Sequence, residues 1–262
     1  MKPIKERHGV IRNKPVILYE DRHILVAVKP PGMLSQGDIT RAPDMLTEIK
    51  KILWEKSGQT RRPFLALVHR LDRPTSGLMV FARSSKAASR LAKAFRERQV
   101  VREYVAITRG IPEETGFFTD SISIEKEKNG RVQVSRNQMP DRKKWREASL
   151  SWKRLSTDWQ REESLLLVTL STGRKHQIRA QFAASKMPLL GDRRYGKGDA
   201  RDRNVPTVAL HACRLTFTHP VSKTVYTFKS MPDINPSFSD QDGIVLKGAL
   251  ERNKPDLLSQ SP

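Results

Sequence analysis

Cysteine occurs once in 262 residues, at Cys213. A single thiol excludes an internal disulfide and a Cys-rich zinc module, and it fits a reducing compartment such as the cytoplasm. No run of about 18 apolar residues is present, so no membrane-spanning helix is expected. The opening residues, MKPIKERHGV, lack the apolar stretch of a secretion signal. There is no glycine-rich phosphate loop and no dinucleotide fingerprint, so nothing points to a cofactor or an energy donor. Ser76 with a histidine and an aspartate would make the residue set of a hydrolase triad, but no G-x-S-x-G elbow accompanies it. Acidic residues are also few. The 28 Asp and Glu stand against 49 Lys and Arg, a net charge of +21. Such a surplus selects a polyanionic partner, most often nucleic acid and less often a membrane surface.

What is present is enough for one sizeable domain or two small ones, with 37% hydrophobic residues to build a core. Residues 1–14 are polar and basic and read as a loose arm. Apolar, β-branched runs at Val16 to Leu18 and Ile24 to Val28 read as strands around a turn at Asp21-Arg22. Met45, Ile49, Ile52 and Leu53 share one helix face over residues 44–56, with Asp44 as N-cap. A second helix is expected over 85–98 and a third over about 176–186. Strands are expected at Phe64 to Val68, at Gly77 to Ala82, and repeatedly through the second half. The pattern predicts an α+β fold, a mixed, mostly antiparallel sheet with flanking helices, occupying residues 15–231. Residues 232–262, rich in Pro, Ser, Asp and Gly, read as a surface-wrapping or partly disordered tail. Between Lys126 and Arg146, eight Lys or Arg accompany two acids. That segment is either a solvated hairpin or an arm that contacts phosphates.

The loop from His69 to Ser76 joins two apolar strands and carries one carboxylate, Asp72, between Arg70 and Arg73. Pro74 and Gly77 restrict its conformations. Loops held by a rigid sheet commonly display catalytic groups, and a neighbouring cation favours an ionised, nucleophilic carboxylate. Spacing alone does not separate that reading from a structural Asp-Arg turn.

The segment HRLDRPTSGLMVFARS closely resembles the central motif of the RluA-type pseudouridine synthase family. ILYEDRHILVAVKPPGM resembles the family's opening segment, REYVAI the segment carrying its tyrosine, TGRKHQIRAQFAASKMPLLGDRRYG its late motif, and LHACRLTFTHP its final one. Together these cover most of residues 16–220 in the family's order. The resemblance implies the pseudouridine synthase catalytic fold and isomerisation of a uridine within RNA, ribosomal or transfer, to pseudouridine, without cofactor or metal. It implies that Asp72 is the catalytic carboxylate, acting either as nucleophile at C1′ or as base at C2′. Tyr104 would stack on the extruded uracil and assist at C5. Arg179 would pair with the aspartate, bidentate in geometry. In substrate binding, Arg70 would support the loop or touch a phosphate. Leu210 would meet the uracil pocket, Arg174 a phosphate, and Lys29, with Pro30, would take a structural or pocket-lining place. Arg102, Lys175, Arg193 and Arg194 are further phosphate candidates. His69, His176 and His211 lack the spacing of a metal site.

Only about 15 residues precede the first motif, too few for the S4-like RNA-binding module that many family members carry, so target choice is expected from the catalytic domain, the 126–146 arm or the tail. A monomer is expected, since no heptad or unusual apolar stripe is visible. Two rivals stand beside the isomerase: an RNA-binding protein that kept the fold without the activity, and a glycosylase that releases uracil from DNA.

Overall fold

In a computed structural model, the residues described are 14–252, apart from 59, 61, 126, 128, 137 and 139. The basic arm, but for Lys14, and the last ten residues therefore lie outside the description.

The strands are β1 (Val16–Glu20), β2 (Ile24–Lys29), β3 (Ala66–Leu67), β4 (Ser76–Ala82), β5 (Val101–Arg109), β6 (Thr115–Ser123), β7 (Val134–Arg136), β8 (Trp145–Asp158), β9 (Glu163–Leu170), β10 (Leu210–Thr218) and β11 (Val225–Lys229). The helices are α1 (Met45–Lys56), α2 (Ser85–Arg96), α3 (Gln177–Ala184), the short α4 (Ala200–Asn204) and α5 (Asp240–Arg252). The described strands form one sheet in the order β1-β2-β4-β10-β5-β9-β8-β6-β7, with β11 beside β10 and β3 beside β4. The pairings are antiparallel except that of β4 with β10. This is the expected α+β architecture, a mostly antiparallel sheet with few helices.

The centre of the sheet is buried on both sides, and the sequence there shows why. In β2, Leu25 and Ala27 face one side while Ile24, Val26 and Val28 face the other. Both sets are apolar, so the strand reads as a continuous run rather than an alternation. On the first face α1 packs through Met45, Ile49 and Leu53, spaced by four, and α3 through Ile178 and Phe182. On the second, α2 packs through Ala87 and Leu91. The Asp44 and Ser84 side chains cap α1 and α2 by accepting the backbone N–H groups of Thr47 and Ala87. The turn between β1 and β2 is held by Asp21, whose Oδ1 accepts N–H of His23 and Ile24 at 2.7 and 2.8 Å.

The parallel junction of β4 and β10 admits only glycine at Gly77. Its φ is 115°, and a Cβ there would strike the backbone of Ala212. The strand expected over 64–68 is shorter, two residues on the edge of β4. The segment after Pro232, expected to wrap the surface or be partly disordered, contains a 3-10 turn and the helix α5. Leu246 and Leu250, one turn apart, bury against Val105, Ile107, Leu165 and Leu167. Asn235 is buried too, its Nδ2 donating to Ser76 Oγ and the Val208 carbonyl. The helical signals, Ser239 and Asp242 capping each other and Leu246, Ala249 and Leu250 on one face, stand among residues that otherwise favour turns.

Candidate active site

Asp72 lies in the loop between β3 and β4, and both of its neighbours are fixed. Before it, Ser35 Oγ donates to the Leu71 carbonyl at 2.7 Å and accepts the Leu71 N–H at 3.1 Å. After it, the Arg73 carbonyl accepts from Lys29 Nζ at 3.0 Å and from Gly32 N–H at 2.9 Å. Arg73 Nε returns a bond to the Gly32 carbonyl, and Thr207 Oγ1 donates to the Pro74 carbonyl, each at 3.0 Å. The loop is thus stitched to the Pro30-Pro31-Gly32 turn and to the chain that enters β10.

Lys29 is fully buried at the end of β2. Its ammonium also donates to the carbonyls of Pro30 and Met33. Burial pushes its pKa down to about 7, opposed by the attraction of Asp72. A side chain with no exposed surface and three carbonyl partners supports the loop from beneath, so the expectation that Lys29 binds substrate gives way to its structural alternative. Sequence cannot tell a lysine beneath a loop from one in a cleft.

Arg179 comes from α3, whose first residue follows His176 in the left-handed conformation, φ 54°. That turn lets Gln177, Arg179 and Gln181 enter the interior, where Gln177 binds Thr172, Arg174 and Ser149, and Gln181 binds Asp120 and the Ala148 carbonyl. Arg179 Nη1 donates to Asp72 Oδ2 at 3.0 Å. Its bidentate partner is a different carboxylate: Nε and Nη2 reach Oδ2 and Oδ1 of Asp192 at 2.7 and 2.8 Å. The expected two-pronged clamp on Asp72 is therefore a single bond, because Asp192 occupies the other two donors. Asp192 Oδ1 also accepts the N–H groups of Arg194 and Tyr195. Burial would raise the Asp192 carboxyl, yet the Arg179 bonds and charge hold it below its usual range. Arg179 is held protonated by the same pairings in spite of burial.

His176 is the second neighbour of Asp72. Its Nε2 stands 3.9 Å from Asp72 Oδ1, and its Nδ1 shares a 2.9 Å hydrogen bond with Tyr195 Oη. Burial, against the pull of Asp72, lowers its pKa to about 4, so the ring is neutral near pH 7. Tyr195 Oη also accepts the Val132 N–H at 2.8 Å, tying the basic segment before β7 to the site. The sequence reading did not place Asp192, Tyr195 or Ser35. The first two stand in GDRRYG, beside the phosphate candidates Arg193 and Arg194.

An open cleft of about 1220 Å³ collects Asp72, Tyr104, Arg179, Arg70, Leu210 and Arg174, and Lys29 is not on its wall. Tyr104 sits on β5 with 7% of its surface exposed, and burial raises its hydroxyl to about 12. Leu210, at the start of β10, pairs with Ala106, beside the Tyr104–Ala212 pair. Arg70 is exposed at the rim, and Arg174 is steadied by the Glu147 carbonyl at 2.7 Å. Arg102 and Lys175 share the cleft, while Arg193 and Arg194 line an adjoining cavity with Arg73 and Arg131. The three histidines are dispersed: His69 accepts the Val80 N–H, and His211 bonds Ser76 and Ser230 inside the core.

Residues 23–184 match the sequence family described as RNA pseudouridylate synthase. The chain belongs to that family. Among curated relatives, the dual-specificity RNA pseudouridine synthase RluA of Escherichia coli is 34% identical over 224 residues, covering 83% of this chain and 93% of the relative. The ribosomal large subunit pseudouridine synthase D of Vibrio cholerae is 34% identical over 229 residues, covering 83% and 67%. The human RNA pseudouridylate synthase domain containing 4 superposes with a TM-score of 0.68 at 24% identity, covering 88% of this chain and 93% of that one, a likeness of fold. The synthase is therefore an isomerase of the RNA-modifying class. Among its described residues no helix is long and apolar enough to cross a membrane.

Proposed function

We propose that this synthase isomerises specific uridines of ribosomal or transfer RNA, as a cytoplasmic monomer, with Asp72 acting on a nucleotide turned out of its strand. One observation carries the reading: Asp72, Tyr104 and Arg179, from a loop, a strand and a helix far apart in sequence, line one basic cleft. A protein that only binds RNA has no need of that trio. A stacked base cannot reach a carboxylate in the cleft, so the nucleotide must be extruded at a cost of roughly a few kcal/mol, offset by phosphate contacts. Residues 15–231, with α5 packed on the same sheet, form the catalytic unit, and the 126–146 segment contributes to RNA contact through Arg131 and Arg146.

In the reaction the C1′–N1 bond breaks, the uracil turns, C5 bonds to C1′, and a proton leaves C5 while N1 gains one. Asp72 either attacks C1′ or removes the C2′ proton. The Arg179 bond to Oδ2 fixes the carboxylate for either role. Leu210 and the Tyr104 ring form an apolar seat for the uracil. With its hydroxyl raised to about 12, Tyr104 stays protonated at neutral pH, so it takes part in the C5 step through a hydrogen bond or a proton relay rather than as a phenolate.

The test is incubation with unmodified total RNA, followed by a search for carbodiimide-resistant uridines. New pseudouridine supports the proposal; binding with none formed assigns the protein to the RNA-binding class, and free uracil released from DNA assigns it to the glycosylases. Tyr104→Phe keeps the ring and loses the hydroxyl. Its affinity for RNA is expected to hold while turnover falls about 10²-fold or more, the scale of a lost proton-transfer partner. Equal turnover would leave the hydroxyl without a part in the chemistry.

A further inference from the structure

Arg102 precedes Tyr104 by two residues on β5, and strand alternation puts both on one face. Both border the cleft. The acid between them, Glu103, points the other way into a buried pair with Arg214, so it does not neutralise Arg102. The Arg102 guanidinium lies 6.0 Å from the centre of the Phe95 ring, and Phe95 is itself stacked on His69 at 4.6 Å. Its other side rests against Gly173, where any Cβ would collide with Nη1. Its Nε is buried and has no hydrogen-bond partner among the described residues.

An arginine that borders the cleft with no hydrogen bond or ion pair among the described residues leaves its guanidinium to a ligand. The surroundings specify the sign. Arg98, Arg146 and Arg174 line the same end of the cleft. Arg98 pairs with the Glu147 carboxylate at 3.3 Å, and the Arg174 side chain donates to the Glu147 carbonyl at 2.7 Å. Burial and the mutual repulsion of these arginines lower the Arg174 guanidinium below its ordinary value. His69 adds no charge, since burial brings it down to about 3.

We propose that Arg102, backed by Gly173 and flanked by Arg98 and Arg174, is the seat of one backbone phosphodiester adjoining the nucleotide whose base meets Tyr104. The planar fork of a guanidinium presents paired N–H groups to the two unbridged oxygens of a diester. The cation over Phe95 is held at a fixed height, and the absent side chain at Gly173 leaves it room. The assignment rests on the RNA reading above. It adds a registration point: a phosphate held one strand step from Tyr104 sets how far the strand is threaded when the base enters.

The experiment is a linkage scan. A short hairpin RNA carries the uridine modified in total RNA or, if none is modified, a uridine in its loop. Each phosphodiester is replaced in turn by a neutral methylphosphonate, and binding is measured for the native protein, Arg102→Gln and Gly173→Ala. One linkage beside the target is expected to cost the native protein about tenfold or more when neutralised, the scale of a charge-assisted hydrogen bond. The same replacement should cost Arg102→Gln nothing further. Gly173→Ala keeps the charge but displaces it, and should lose discrimination at that linkage alone. Should Arg102→Gln fail to fold, Arg102→Lys, which keeps charge without the fork, is scanned in its place and should show a weakened response at the same linkage. A scan in which every linkage responds alike in the native protein and the variant overturns the subsite. Loss of pseudouridine formation by the native protein would instead overturn the function while leaving the binding scan readable.

Discussion

Asp72→Asn is expected to abolish pseudouridine formation while RNA affinity stays within a few-fold, roughly the range of a lost rim contact. The amide keeps the volume of the carboxylate and an oxygen that can accept the Arg179 Nη1 proton, so the loop, held by Ser35, Gly32 and Lys29, has no reason to move. What the amide lacks is charge, and an uncharged oxygen is neither an effective nucleophile at C1′ nor a base at C2′. The size of the residual rate is informative. Loss of a general base costs about 10² to 10⁴, whereas removing a nucleophile costs on the order of 10⁶. Single-turnover assays with the variant in excess over RNA measure it. Substantial turnover, at a tenth of the native rate or above, would remove Asp72 from the chemistry.

Asp192→Ala is expected to produce the largest loss of stability among the site substitutions. It strips two hydrogen bonds from a guanidinium that is almost wholly buried, and it frees the backbone N–H groups of Arg194 and Tyr195. Removing one member of such a pair costs about 3 to 5 kcal/mol because the other charge is left behind. For a chain of this size that is a fall in melting temperature on the order of 10 °C. Asp192→Asn, which retains an acceptor for one arginine donor, should lose less. The sign of the pH dependence follows from the lowered Asp192 pKa. In the native protein its contribution is complete above the unfolded value, about 4, and is lost as acid carries the pH down through the folded one. The gap between native and variant should therefore narrow in acid. Thermal melts at pH 7 and pH 3.5 check both statements, and a variant that melts with the native protein at pH 7 would refute the role given to Asp192.

The sheet and the three early helices were legible because their signals are local. Asp44 caps where the sequence places a cap, and β2 and β4 are apolar on both faces because both are covered. Asp72, Tyr104 and Arg179 were legible only through motif order, since an Asp between two arginines, a strand tyrosine and a helix arginine are each ordinary alone. What stayed hidden depended on packing. The second carboxylate on Arg179 comes thirteen residues later, from a turn whose direction no pattern of residues reveals. Lys29 looked like a cleft cation because charge in sequence carries no depth. The helix α5 was obscured by glycine and aspartate; its burial against β5 and β9 and the Ser239–Asp242 cap explain it.

The stitching of the Asp72 loop has a mechanical consequence. Bonds on both flanks, to the end of β2, the turn after it and the chain entering β10, leave this carboxylate no hinge on which to swing. Travel during an encounter must then be made by the nucleic acid, with the carboxylate as the stationary datum. Substrates that distort readily should accordingly be served faster than stiff ones of equal affinity.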